Sequence, residues 1–215
     1  IDEIRMQLDL ADKIISNSDM ECDALAKVLG LPRENFVTVY NGVKDIFSKK
    51  IDDDIFIKEF NIKKPFILNV GNIERRKNQL NLVQAMKSFP DYNLVLIGHV
   101  RDQSYFDQVQ SIGGKQVIYI GSLPQDSILL LSAYKECSTF CLPSTLETPG
   151  LAALEAKSAQ CSIAITAEGS TREYFNDSVA YLDPLNINSI VESLRVALSD
   201  EFKEKNNQKN SHRKS

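Results

Sequence analysis

Phe66-Ile67-Leu68-Asn69-Val70 runs directly into Gly71-Asn72-Ile73-Glu74-Arg75-Arg76-Lys77-Asn78, and after it Leu82, Val83, Ala85, Met86 and Phe89 fall on one helical face. The first five residues are a short continuous apolar run, the mark of a strand buried on both sides. The spacing over residues 78–89 predicts a helix that packs by one stripe. Strand, glycine-led loop and helix form one unit, and the rest of the chain repeats it.

Further runs of the first kind lie at 13–16, 36–39, 94–97, 117–120, 139–142, 162–165 and 179–182. Helical patterns fill 122–134 and 150–159, and the clearest spans 187–198, where Ile187, Ile190, Val191, Leu194, Ala197 and Leu198 recur at threes and fours. Such alternation predicts an α/β fold, a Rossmann-like parallel sheet with helices on both faces. Residues 44–54 are charged and aperiodic, and read as a linker. Beyond Asp200 the sequence turns polar and reads as a frayed tail, with its cations up to Lys214 simply solvated. The expected division is 1–47 as the end of a preceding domain plus linker, 48–200 as the ligand-binding domain, and 201–215 as the polar tail. Residues 1–43 hold too few elements to fold alone.

Composition narrows the function. The 215 residues are 43% hydrophobic and 25% charged, ordinary for a chain that buries a core, with a net charge of −4. That balance argues against wrapping nucleic acid nonspecifically, although a few well-placed cations can still hold a small anion. No apolar run approaches the roughly 20 residues of a spanning helix. The Ile1-Asp2-Glu3 start shows no signal peptide and no initiating Met, as expected of a piece of something longer. Cys22, Cys137, Cys141 and Cys161 form no CxxC pair and the histidines are only His99 and His212, so a metal site is not expected. The thiols are expected to be reduced, in a cytoplasmic protein.

In an open parallel sheet, ligands bind beyond the carboxyl ends of the strands. That selects the loops at 71–78, 98–101, 121–125, 143–150 and 166–171. In the first, Arg76 and Lys77 stand where a strand yields to a helix. Cations are disfavoured there unless an anion is shared between them and the backbone N–H groups. A guanidinium beside an ammonium suits a diphosphate, and a solvated pair bridged to Glu74 is the plain alternative. In the fourth, Glu147 precedes a helix and Glu155 follows eight residues later within it, so both can border one cleft at different depths. Glu155 can accept ribose hydroxyls, as acids do in dinucleotide folds. Glu147 can equally cap the helix.

These residues carry a resemblance. Gly71-Asn72-Ile73-Glu74-Arg75-Arg76-Lys77-Asn78 is similar to the G-x-L-x-x-R-K-N loop of retaining family 4 (group 1) glycosyltransferases. Glu147 to Glu155 resembles their E-x7-E signature, and Tyr40-Asn41-Gly42-Val43 their P-N-G-V element. Gly98, Gly121, Glu173 and Leu182-Asp183-Pro184 are weaker echoes in the same order. The resemblance implies the C-terminal, donor-binding domain of the GT-B fold, plus the end of the N-terminal domain. It implies that Arg76 and Lys77 neutralise the leaving diphosphate, that Glu155 holds the ribose, and that Glu147 lies against the donor sugar. It also implies that Gly71, Asn72, Thr148, Gly150 and Leu151 line the phosphates and sugar, and that Gly121 and Leu123 lie near the base.

Sugar transfer with retention follows, from a nucleotide-diphosphate sugar such as a GDP- or UDP-sugar to a saccharide or lipid-linked acceptor. The acceptor would be held by an N-terminal domain outside this chain. Mannosyl transfer in cell-surface polysaccharide synthesis is the expected setting, in the cytoplasm or at the inner membrane face, with peripheral membrane contact by the full-length protein. No nucleic acid partner and no cofactor or metal are expected, and Asp52-Asp53-Asp54 is expected only to be solvated. The pattern departs from the family at Asn72, where an arginine is usual, and at Thr148-Pro149, where Pro149 removes one N–H donor. A sugar-nucleotide epimerase or phosphorylase of similar shape stays open, as does a noncatalytic α/β binding module. A dinucleotide site would want G-x-G-x-x-G, which does not occur.

Overall fold

A computed structural model describes residues 6–8, 10–51 and 54–212, with side chains as far as 206. The Ile1-Asp2-Glu3 start, Asp52 and Asp53 of the acidic run, and the last three residues of the tail lie outside the described residues. The main sheet is built from β3 (Phe66–Val70), β4 (Asn93–Ile97), β5 (Val117–Gly121), β6 (Thr139–Leu142), β7 (Ile163–Thr166) and β8 (Ala180–Leu182). They stand in the order β5-β4-β3-β6-β7-β8, and every neighbouring pair is parallel. Each coincides within two residues with a run read from sequence.

The buried strands divide their side chains between two cores, as a period of two requires. Phe66, Leu68, Val95, Ile97, Phe140, Leu142, Ile163 and Ile165 face one side, under the helices Ile128–Glu136 and Leu151–Ser158. Ile67, Leu94, Leu96, Cys141 and Ala164 face the other, under Gln79–Ala85, Gln103–Gly113 and Ile187–Leu198. Helices therefore cover both faces, as expected.

Strand order decides where a ligand can sit. The chain winds outward from β3 through β4 to β5, then returns to add β6 on the other side of β3. The helix after β3 packs on one face and the helix after β6 on the opposite face. Their two loops consequently part at the carboxyl end of the sheet, the crevice position of doubly wound folds.

Residues 14–38 form a smaller layer, β1 (Ile14–Ser16) and β2 (Phe36–Thr38), parallel to each other, with the helix Asp19–Leu29 between them. This layer docks beside the crevice. Both oxygens of Glu173 accept the Asp19 and Met20 N–H groups at 2.8 Å, occupying orphan donors of that helix start. Asn17 Nδ2 donates to the Thr148 carbonyl at 3.1 Å, and the Tyr174 hydroxyl donates to the Asn17 carbonyl. Tyr40 packs edge-on against Tyr174 with centroids 5.2 Å apart.

Four expectations need correction. Residues 44–54 are not a featureless linker: a 3-10 turn, Asp45–Ser48, inserts Phe47 fully into the core, edge-on to Tyr134 at 5.8 Å. Asp54 is not merely solvated, since Lys64 Nζ donates to it at 3.1 Å. The tail continues as a helix, Asp200–His212, which packs Phe202 on the second core and sends Asn206 Nδ2 to the Ser178 carbonyl at 3.1 Å. Finally, the helix predicted over 122–134 begins only at Ile128, where the Ser127 hydroxyl caps the Leu130 N–H. The helix Ile55–Phe60 is too short, and Gln103–Gly113 too polar in composition, to stand out in the sequence.

If Phe47 is a core residue, Phe47→Ala lowers unfolding free energy by about 3–5 kcal/mol in urea denaturation. A true linker position would change it by less than about 0.5 kcal/mol.

Candidate functional site

The loops after β3 and β6 border the crevice from its two sides, and a buried polar frame ties them together. Asn69, at the heart of β3, donates to the Cys141 carbonyl of β6 at 2.8 Å. Asn78 takes a left-handed conformation, φ 58° and ψ 35°, which asparagine tolerates better than most side chains. Its amide nitrogen bonds the Pro143 carbonyl at 3.0 Å and the Pro184 carbonyl at 2.7 Å. The Thr145 N–H closes the frame on the Arg76 carbonyl at 2.9 Å. The three cations Arg75, Arg76 and Lys77 form a 3-10 turn just ahead of the helix rather than its first turn.

That frame brings Lys77 and Glu147 into contact, although they are 70 residues apart. Lys77 Nζ lies 2.5 Å from Glu147 Oε1, with side-chain exposures of 14% and 6%. Arg76 Nη1 stands 3.8 Å from the same oxygen and donates to the Leu146 carbonyl at 3.0 Å, while its Nη2 meets Glu74 at 3.2 Å. The sequence places the acid and the cations in separate loops; here they are partners. Such a pair is costly to bury and costly to break, because the survivor would be an uncompensated charge.

Backbone close approach fixes Glu147 further. Its N–H and carbonyl pair with the 168–170 backbone, at 3.3 Å to the Glu168 carbonyl and 3.0 Å from the Ser170 N–H. A Cβ on Gly169, at φ 90°, would lie 2.1 Å from the Glu147 carbonyl oxygen, so only glycine fits. Gly150, at φ 85°, adjoins the same carboxylate: a Cβ there would sit 3.6 Å from Glu147 Oε2. Gly150 supplies no side-chain cap to the helix Leu151–Ser158, so no capping side chain occupies the start of that helix, although the Ala153 N–H already bonds the Gly150 carbonyl at 2.9 Å. The aliphatic stem of Lys77 passes over Gly71.

Glu155 lies about one turn further into that helix, with partners of its own. It is 4% exposed and accepts Gln125 Nε2 at 2.7 Å and the Tyr134 hydroxyl at 2.8 Å. Burial pushes its carboxyl above the ordinary value, against those two hydrogen bonds and the Lys44 charge, which pull it down. The neighbouring Tyr134 hydroxyl is held well above its own usual value by burial first and the Glu155 charge second. Gln125 and Tyr134 had no assigned role in the sequence reading; Gln125 lay within a selected loop, whereas Tyr134 read as a helix-face residue.

The remaining positions distribute as follows. Asn72 offers its carbonyl to Gln79 Nε2 at 2.9 Å, and Gln79 is fully buried. Thr148 is exposed beside Asn17, and Leu151 is 46% exposed at the helix start. Gly121 ends β5 and its carbonyl accepts the Gly98 N–H at 2.8 Å, while Leu123 packs on the first core. Gly98 must itself be glycine, since a Cβ would come 1.9 Å from the Gly71 carbonyl oxygen. Thus Arg76, Lys77, Glu147, Gly71 and Gly150 share one locus, and Glu155 has separate partners. Among the described residues no helix is long and apolar enough to cross a membrane.

The family model described as "Glycosyl transferases group 1" matches residues 50–215. The serotype-specific mannosyltransferase WbdA of Escherichia coli is 26% identical over 203 residues, covering 89% of this chain and 24% of that protein. A glycosyltransferase structure from Rickettsia africae aligns with a TM-score of 0.82 at 14% identity, over 94% of this chain and 57% of that one. Anabaena HepE, solved in complex with UDP and glucose, aligns at 0.79 and 18% identity, over 93% and 59% of the respective chains. The chain therefore spans about a quarter of the mannosyltransferase's length and somewhat over half of each solved chain.

The raised carboxyl of Glu155 predicts a pH signature. Its share of stability is fully present below the unfolded value of about 4.3 and is lost as pH climbs through the higher folded value. Glu155→Gln removes that loss, so its urea midpoint should gain on the wild type as pH rises above about 4 and level off once pH has passed the folded value. Parallel midpoints over that range would show an unstrained acid.

Proposed function

We propose, on the premise that the chain belongs to the glycosyl transferases group 1 family, that its crevice binds the nucleotide-diphosphate end of an activated sugar in a sugar-transfer enzyme. The observation that carries the reading is the Lys77–Glu147 pair at the switch between β3 and β6. A cation held beside uncapped helix donors is a site awaiting an anion. The same ammonium that meets Glu147 can turn to a diphosphate entering above Gly71, with Arg76 joining from the rim.

In this reading the reaction needs little covalent chemistry from the chain. Lys77, Arg76 and the first-turn N–H groups after Gly150 stabilise the charge that grows on the departing diphosphate, without a metal. Glu147, released from Lys77, faces the donor sugar. Glu155 keeps lone pairs beyond those used by Gln125 and Tyr134, and accepts ribose hydroxyls there. Gly121 and Leu123 border the base, while Asn72, Thr148 and Leu151 line the phosphates and sugar. Retention of configuration, a GDP- or UDP-sugar donor and a saccharide or lipid-linked acceptor complete the proposal. The acceptor site belongs to a domain on the side of the β1–β2 layer. Mannosyl transfer is the reaction that the E. coli relative's name suggests, and the proposed setting is surface-polysaccharide synthesis in the cytoplasm, at the inner face of a membrane.

Calorimetric titration with UDP and GDP tests this directly. Lys77→Ala should weaken the better ligand by about 2 kcal/mol, roughly 30-fold. Glu147→Gln should instead strengthen diphosphate binding, because it frees Lys77 from its competitor, while transfer by the full-length enzyme falls. Folded variants, checked by circular dichroism, that bind both nucleotides as the wild type does would overturn the assignment.

A further inference from the structure

At the opposite end of the sheet, below the amino ends of β6, β7 and β8, lies a cavity of roughly 620 Å³ whose lining includes Cys137 and Cys161. Their sulfurs are 3.2 Å apart, though 24 residues separate them in sequence. Cys137 ends the helix Ile128–Glu136, and Cys161 follows the helix Leu151–Ser158. The β6–β7 register, Phe140 against Ile163, brings the segments that lead into these two parallel strands side by side. Cys137 and Cys161 are only partly buried as residues, although burial pushes the Cys137 thiol well above its ordinary value, whereas Cys22 and Cys141 are wholly enclosed in separate clusters. Cys137 donates to the Tyr134 carbonyl at 3.2 Å and Cys161 to the Ser162 carbonyl at 3.1 Å.

We propose that Cys137 and Cys161 are a reversible oxidation site, closed to an intramolecular disulfide by exchange with a low-molecular-weight disulfide such as glutathione disulfide. The thiolate of one cysteine attacks a reagent sulfur, forms a mixed disulfide and expels the first glutathione thiolate. The second cysteine, as thiolate, attacks the bound protein sulfur and expels the other. Two protein thiols are oxidised, one glutathione disulfide is reduced, and the two protons end on two glutathione thiols. The bond would tie together the carboxyl ends of the two helices that carry Tyr134 and Glu155, one turn or less from Tyr134 itself.

The test incubates the folded chain with glutathione disulfide, alkylates the remaining thiols and maps peptides by mass spectrometry. The expected product is one Cys137–Cys161 cross-linked peptide pair, with Cys22 and Cys141 alkylated and all four thiols recovered after dithiothreitol. Cys161→Ser should accumulate the glutathione adduct at Cys137 instead, because no resolving thiol remains. A wild-type product carrying only glutathione adducts, links to another cysteine or no modification at all would overturn the proposal. Should Cys161→Ser fail to fold, the wild-type peptide map alone decides.

Discussion

The contact between Lys77 and Glu147 is the constraint around which the crevice is arranged. An ammonium and a carboxylate, both largely removed from water, are tolerable only in good mutual geometry. That geometry needs two loops 70 residues apart to be held together, and nearly every unusual feature nearby serves this. Asn78 accepts a left-handed backbone so that its amide can clamp Pro143 and Pro184. Gly169 lacks a side chain so that the neighbouring loop can pair with the Glu147 backbone. The strand order supplies the reason the two loops part there at all.

Once the pair is set, the two acids acquire different roles from their surroundings. Glu147 is neutralised by cations in contact with it, whereas the hydrogen bonds to Glu155 come from the neutral donors Gln125 and Tyr134, and burial outweighs them and the Lys44 charge to favour its protonated form. A carboxylate kept against its preference, with Gln125 and Tyr134 directed at it, matches a group that gains from added hydroxyl donors. Stability is reduced at Glu155 in neutral solution, a common arrangement where binding matters more than folding.

The strands were legible because a parallel sheet needs apolar residues on both faces, which makes Phe66–Val70 and its equivalents continuous runs. The loops followed from the sheet, and Arg76, Lys77, Glu147 and Glu155 from the loops. Pairing across the chain was not legible. Nothing local to Lys77 announces Glu147, and nothing in the helix 128–136 announces that Tyr134 turns its hydroxyl toward Glu155. The supposed linker misled for a related reason: Phe47 is one apolar residue among charges, and its burial depends on Tyr134, far along the chain. The largely polar composition of Gln103–Gly113, with Tyr105 and Val109 as its buried residues, hid that helix in the same way.

A structure of the chain with bound UDP or GDP tests the central claim most directly. The account predicts that Lys77 Nζ leaves Glu147 for a phosphate oxygen, that the phosphates meet the helix start after Gly150, and that the ribose hydroxyls reach Glu155. Phosphates bound elsewhere, with the Lys77–Glu147 contact intact, would contradict it.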